Sequence, residues 1–131
     1  MFERIFANTS IPVLEEVMAF AGLRHRYLAN NVANVDTPGY RALDLPEARF
    51  QRLLAEAVER RRRRGGGPLA LPGEAFVPAR SGGQLRLDGN DVSLDLELAR
   101  MSKNAMKFQL AARLLASRLR FLSMVVRERM R

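Results

Sequence analysis

The stretch Leu94-Asp-Leu-Glu-Leu-Ala-Arg-Met101-Ser-Lys-Asn-Ala-Met-Lys-Phe108-Gln-Leu-Ala-Ala-Arg-Leu-Leu115-Ala-Ser-Arg-Leu119-Arg-Phe-Leu122-Ser-Met-Val-Val126 decides the fold. Leu94, Leu98, Met101, Ala105, Phe108, Ala112, Leu115, Leu119, Leu122 and Val126 follow one another in steps of four and three. That spacing keeps one side chain per turn on a single helical face, as in a coiled-coil seam. No Gly or Pro interrupts the chain after Gly89. Asp91 or Ser93 offers an N-cap, Asp95 and Glu97 sit near the positive end of the helix dipole, and arginines crowd the other end. The predicted helix runs from Asp91 to about Arg129, roughly 50–55 Å at ~1.5 Å per residue. Leu96, Leu110, Leu114 and Val125 lie off the main stripe, so a second face is apolar as well.

A helix of that length needs a partner, and the other end of the chain supplies one. Between Thr9 and Asn34, the residues Ile11, Leu14, Met18, Ala21, His25, Leu28 and Val32 repeat the same three-and-four spacing. Ser10 or Thr9 can cap this helix, with Pro12 in its first turn, where a missing N–H costs nothing. Asn30, Asn31 and Asn34 are poor helix-interior residues whose side chains can bond the last carbonyls. Thr37-Pro38-Gly39-Tyr40 then fits a type II turn, with Gly39 at the position needing positive φ.

Between the long helices, Asp44–Arg64 reads as a shorter amphipathic helix. Asp44 and Glu47 resemble a capping box, Pro46 falls in the first turn, Phe50, Leu53, Leu54, Ala57 and Val58 form one face, and Gly65 closes the end. Residues 65–90 hold seven of the nine glycines, with Pro68, Pro72 and Pro78. They read as an irregular connector with room for short strands at Ala75–Val77 and Gln84–Leu87. The expected fold is mainly α: two long helices packed as a coiled-coil-like pair (residues 1–36 and 91–131), and a connector over residues 37–90 containing the short helix.

Composition narrows the function. With 131 residues, one compact domain is expected. The absence of Cys excludes disulfides and thiolate metal sites, and a single histidine excludes a His-rich metal site within one chain. His25 lies on an apolar stripe and reads as a packed or interface residue, with no nucleophile matched to it. Asp88, Asn90 and Asp91 have a faint calcium-loop flavour but lack the ligand pattern, and read as a turn plus helix cap. No cofactor, metal or small-molecule substrate is expected. Met1-Phe2-Glu3-Arg4-Ile5-Phe6 does not read as a secretory signal, and no apolar run approaches the roughly 20 residues of a membrane span.

The net charge is +8, from 22 Lys and Arg against 14 Asp and Glu. This leaves open a basic binding module for nucleic acid or an anionic membrane surface. Arg60–Arg64 fits a solvated helix end better, because no aromatic residues are interleaved with it.

Asn30-Asn31-Val32-Ala33-Asn34-Val35-Asp36-Thr37-Pro38-Gly39-Tyr40 resembles the N-terminal signature of flagellar rod, hook and hook-associated axial proteins, Ala-Asn-Asn-Leu-Ala-Asn-x-x-Thr-Pro-Gly-Tyr/Phe. Asp88-Gly89-Asn90-Asp91-Val92-Ser93-Leu94-Asp95 and Met101-Ser102-Lys103-Asn104-Ala105-Met106-Lys107-Phe108-Gln109 resemble the proximal basal-body rod members of that family. These blocks are 28 of the 131 residues and fall on both long helices; nothing is carried over to the Gly- and Arg-rich middle. The resemblance implies an inner helical domain, an outer connector and helical polymerisation into the rod, the drive shaft between membrane ring and hook. It implies as partners further copies, other rod proteins, the adaptor FliE, the membrane-ring protein FliF and the flagellar type III export apparatus. Asn30, Asn31, Asn34, Thr37, Pro38, Gly39 and Tyr40 would be the signature turn. Leu14, Met18, Ala21, Leu28, Leu94, Leu98, Met101, Ala105, Phe108, Ala112, Leu115, Leu119 and Leu122 would be packing and assembly residues.

Overall fold

In the computed structural model, which describes residues 10–130, two long antiparallel helices carry a smaller helical and looped layer on one side. Helix α1 is Ile11–Ala33 and helix α3 is Leu94–Arg129, 36 residues in length. Between them lie strand β1 (Leu43–Asp44), helix α2 (Glu47–Arg63), a 3-10 turn (Gly73–Phe76) and strand β2 (Ala79–Arg80). The fold is mainly helical, as expected. Among the described residues, no helix is long and apolar enough to cross a membrane.

The helix ends follow the sequence in part. Ser10 stands at the N-cap position of α1, with Pro12 just inside and Leu14 N–H bonded to Ser10 O at 3.0 Å, but its hydroxyl makes no capping bond; Thr9 lies outside the described residues. Helix α2 ends in a Schellman arrangement. Gly65 (φ +74) donates to Arg62 O at 3.1 Å and Gly66 to Arg61 O at 3.1 Å, so the glycine supplies the left-handed step that closes the helix.

The start of α2 differs. Pro46 is its N-cap, and the expected capping box of Asp44 and Glu47 does not form. Both carboxylates are turned instead toward Arg24 of α1. The Arg24 guanidinium grips Asp44 through Nε–Oδ1 and Nη2–Oδ2, each at 2.8 Å, and reaches Glu47 at 3.3 Å. A buried guanidinium needs bidentate partners more than an exposed first turn needs a cap. Lys107 of α3 also pairs with Glu47, so one carboxylate joins all three helices.

The connector's strands fall elsewhere than expected. Leu43 pairs with Arg80 and Asp44 with Ala79 in a two-stranded antiparallel sheet. Ala75 and Phe76 belong to the 3-10 turn, where Pro72 O accepts from Ala75 N–H at 3.0 Å. Gln84–Leu87 forms no strand. Arg86 N–H turns to Asn90 O, Gly89 N–H turns to Arg86 O, and Leu85 and Leu87 face solvent.

The apolar core lies between α1 and α2. Phe20 and Phe50 stack with centroids 4.0 Å apart, Phe76 meets both edge-on or tilted, and Leu45, Leu53 and Ala75 fill the rest. Phe20 is not on the three-and-four stripe of α1, so that helix buries two faces. Arg24 lies one turn along from Phe20, which places the guanidinium pair at the edge of the aromatic cluster.

Removing Arg24 would strand the Asp44 carboxylate, whose side chain is only 11% exposed. Arg24→Met is expected to lower the unfolding free energy in urea by about 3 kcal/mol. The double variant Arg24→Met/Asp44→Asn should recover part of that loss; equal losses in the two would contradict the pairing.

Candidate functional site

The densest polar cluster joins the end of α1 to the start of α3. It is built on two asparagines, Asn31 and Asn90, and one glutamate, Glu97, that the fold buries.

Asn31 is completely buried in the last turns of α1. Its Nδ2 donates to Leu43 O at 2.8 Å and to Glu97 Oε2 at 2.9 Å. Its Oδ1 accepts from Leu43 N–H at 3.1 Å and from the Tyr40 hydroxyl at 3.0 Å. Two donors and two acceptor sites are the whole capacity of a primary amide, and all four are used. The side chain thus pairs with the Leu43 peptide as a neighbouring strand would, while tying α1 to α3. Glu97, 1% exposed, completes the link by accepting from Arg100 at 2.7 Å through Oε1.

Asn90 is equally buried and works from the other side. Its Nδ2 approaches three carbonyl oxygens, those of Asn34 at 2.9 Å, Val35 at 3.2 Å and Thr37 at 2.8 Å. These carbonyls belong to Asn34, the C-cap residue of α1, and to the turn that follows it. Asn90 therefore pins the turn after α1 from more than fifty residues away. Its Oδ1 accepts from Val92 N–H at 2.7 Å, and its own N–H donates to Asp88 Oδ1 at 3.0 Å.

The turn sits between these two amides. Gly39 has φ +73 and Tyr40 N–H bonds to Thr37 O at 3.3 Å, the expected type II geometry. Gly39 N–H also donates to Asp88 O at 2.8 Å. Asn34 Nδ2 returns to Asn30 O at 2.8 Å, and its Oδ1 accepts from the Thr37 hydroxyl at 3.1 Å. Asn30 donates to the Tyr40 hydroxyl at 3.0 Å, so Tyr40 relays Asn30 to Asn31. Among the described residues no side-chain-bearing residue has positive φ; the asparagines act through their amides, not through the left-handed conformation. Asp91 anchors the loop by accepting from Ala42 N–H at 2.7 Å. Gly82 lies so close to that carboxylate that a Cβ would stand 2.0 Å from it.

The helix seam shows a seven-residue repeat of its own: Glu97, Asn104 and Ala111 are the buried residues of α3. Asn104 Nδ2 donates to Ala21 O at 2.7 Å, fixing the register of the pair within one chain. Ala21 and Leu28 are buried opposite, and Leu14 and Met18 are half-buried. Of the apolar stripe, Met101, Ala105, Ala112, Leu115, Leu122 and Val126 are half-buried, whereas Leu94, Leu98, Phe108 and Leu119 are 39–47% exposed. His25 is exposed. Among the described residues no group of His, Cys, Asp or Glu could hold a metal ion.

Sequence reasoning missed the roles of Asn90, Glu97 and Arg24. It took Asn90 for part of a turn and cap at the start of the last helix, and Glu97 for a dipole-facing acid. The seven-residue spacing from Glu97 to Asn104 to Ala111 was the available signal.

The family model described as flagella basal body rod protein matches residues 28–41, the end of α1 and the turn just described. The chain is 32% identical over 132 residues to the flagellar basal body rod protein FlgB of Salmonella typhimurium, covering 92% of this chain and 93% of that protein. FlgB of Proteus mirabilis is 30% identical with 72% and 77% covered, and FlgB of Escherichia coli K12 is 29% identical with 81% and 84% covered. A helical pair closed by this turn, with these relatives, defines a structural protein of the flagellar basal body rod and not an enzyme. Within that class, the chain belongs to the FlgB family. It is a component of the rod, located in the flagellar basal body with other flagellar proteins.

Asn90→Ala should cost about 2 kcal/mol in urea unfolding, from the loss of a buried amide's hydrogen bonds to the turn. Asn90→Asp should cost more, because a carboxylate would face the same oxygens; an Asp variant as stable as wild type would refute this role of the Asn90 amide. Burial raises the Tyr40 pKa above 10.0, with the nearby Glu97 and Asp91 carboxylates adding to the rise and the Asn30 hydrogen bond opposing it. A raised folded-state pKa means that the neutral phenol's contribution is present below pH 10 and lost as pH rises through the folded value. Wild type should therefore lose stability above pH 10 more steeply than Tyr40→Phe; parallel pH profiles would count against it.

Proposed function

We propose that the chain forms part of the proximal rod, polymerising helically into the drive shaft between membrane ring and hook. The inner domain, residues 1–36 and 91–131, which holds α1 and α3, is the inner wall of that shaft, and residues 37–90 face outward. Its neighbours are further copies, other rod proteins, the adaptor FliE and the ring protein FliF, and it leaves the cell through the flagellar type III export apparatus.

The observation that carries this reading is the apolar surface of α3. Leu94, Leu96, Leu98, Leu110 and Leu114 are 41–60% exposed along one helix, beyond what a lone monomer commonly leaves in water. In a polymer, these residues and the half-buried stripe between them become intersubunit contacts. Met18, Leu94, Leu98, Phe108 and Leu119 are assembly residues on this account, and Ala21, Leu28 and Asn104 hold the pair that presents them. The signature turn sets the direction in which the connector leaves the inner wall. A shaft transmitting torque gains stiffness from axial helices whose register is fixed by buried amides.

The basic-module alternative has no comparable support. Arg60 and Arg62 lie within 4 Å of Glu56 and Glu59, and Arg61 donates to Gly67 O, as befits a solvated helix end.

Cells lacking the chain should assemble no complete rod, seen by electron microscopy of purified basal bodies, and should be non-motile. Leu98→Glu should preserve monomer helicity by circular dichroism yet remove the protein from basal bodies. Normal rods in either strain would refute the assignment.

A further inference from the structure

Asp88-Gly89 is the one place in the sequence where glycine follows an aspartate or an asparagine. Every other Asp and Asn is followed by a residue that carries a Cβ. Without that atom, the backbone nitrogen of the following residue reaches the Asp Cγ against little steric opposition.

The structure puts this junction at a joint of the fold. Asp88 O accepts from Gly39 N–H at 2.8 Å and so holds the signature turn. Asp88 Oδ1 accepts from Asn90 N–H at 3.0 Å, behind the amide that pins the same turn. Gly89 has φ +81, and a Cβ on it would stand 3.4 Å from Gly39 Cα. The Asp88 side chain is 39% exposed, so water reaches it.

We propose that Asp88 is a site of isoaspartate formation, and that the fold gates the reaction. The Gly89 nitrogen bonds to Cγ of the protonated Asp88 carboxyl. One water leaves, made from the carboxyl hydroxyl and the amide proton, and a cyclic succinimide remains. Water then adds to the former Asp88 backbone carbonyl carbon, and the bond from that carbon to the Gly89 nitrogen breaks. The chain now runs through Cβ and Cγ, and the old carbonyl is a free carboxylate. Mass and charge are unchanged (one water lost, one gained), and no other reactant is needed.

The folded loop opposes the first step. Gly89 N–H is held by Arg86 O at 2.9 Å, Asp88 Oδ1 by Asn90 N–H, and Arg86 Nε lies 3.6 Å from the same oxygen. Turning the Gly89 nitrogen onto Cγ rotates the Asp88–Gly89 peptide, which breaks the Gly89–Arg86 and Gly39–Asp88 bonds together. Reaction therefore waits on local opening of the loop. In the product, the carbonyl that received Gly39 N–H has become a side carboxylate, and the backbone is longer by one methylene. Asn90 is displaced from its three carbonyls, and the loop no longer closes as before. A chain that has stood open is thereby marked permanently, and this chemistry is independent of the rod reading above.

The test incubates the purified full chain in neutral buffer, with and without denaturing urea, and follows with trypsin. Cleavage after Arg86 and Arg100 releases the peptide Leu87–Arg100. Chromatography separates its isomers of equal mass, and electron-transfer mass spectrometry locates the altered residue. In urea the Asp88 isomer should accumulate. In the folded protein it should form about tenfold more slowly or less, a factor equal to an opening free energy of about 1.4 kcal/mol. Asn90→Ala should raise the folded rate several-fold, and so should urea added to wild type below its unfolding transition. Equal rates in the folded and unfolded chains would overturn the gate. Isomerisation led by any junction other than Asp88-Gly89 in the unfolded chain would overturn the site. The isolated isoaspartyl protein, refolded, should unfold at lower urea than wild type; an unchanged midpoint would overturn the link to the turn.

Discussion

The structure depends on buried primary amides bonded within the chain. Asn31 uses its whole amide on one peptide, one carboxylate and one phenol, and Asn90 holds the turn that follows α1. A buried amide is costly unless it is satisfied, so each has one admissible placement. Apolar contacts alone would tolerate sliding by a turn. The amides do not, because a slip of α3 would orphan Asn31, Glu97 and Asn104 together.

This division of labour explains why α3 looks over-supplied with apolar residues. Its contact with α1 runs along Glu97, Asn104 and Ala111, a seam of small and polar side chains that lets the backbones approach. Much of the Leu, Phe and Met content is thereby left on the outside. In an ordinary domain that would be a liability; in a rod subunit it is the material from which the next contacts are made. The aromatic cluster and the Arg24–Asp44–Glu47–Lys107 network hold α2 against the pair, which opens the apolar groove on one side.

The long helices were legible because their spacing is unbroken over many turns, and the type II turn because Pro38-Gly39 permits little else. The middle of the chain was less so. Asp44 and Glu47 matched a local capping pattern, but a buried arginine twenty residues earlier outbid the helix end. Ala75 and Phe76 have strand-like chemistry, yet the prolines on both sides and the pull of Phe20 and Phe50 make a 3-10 turn. The bonds from Asn90 to the turn after α1 join residues too far apart in sequence for any local rule to pair them. The apolar stripe of α3 marked the right helix but not which of its faces meets α1, because several faces are apolar and the distinction lies in two polar residues seven apart.

Amide hydrogen exchange on the isolated protein tests the central claim most directly. Leu43 N–H is bonded to the Asn31 side chain and Val92 N–H to the Asn90 side chain, and neither bond belongs to a helix or strand ladder. If the amides lock the two helices in register, these two N–H groups should exchange as slowly as the centre of the α1–α3 pair and be released together with it. Exchange at the rate of an exposed loop, while the helices stay protected, would contradict the account.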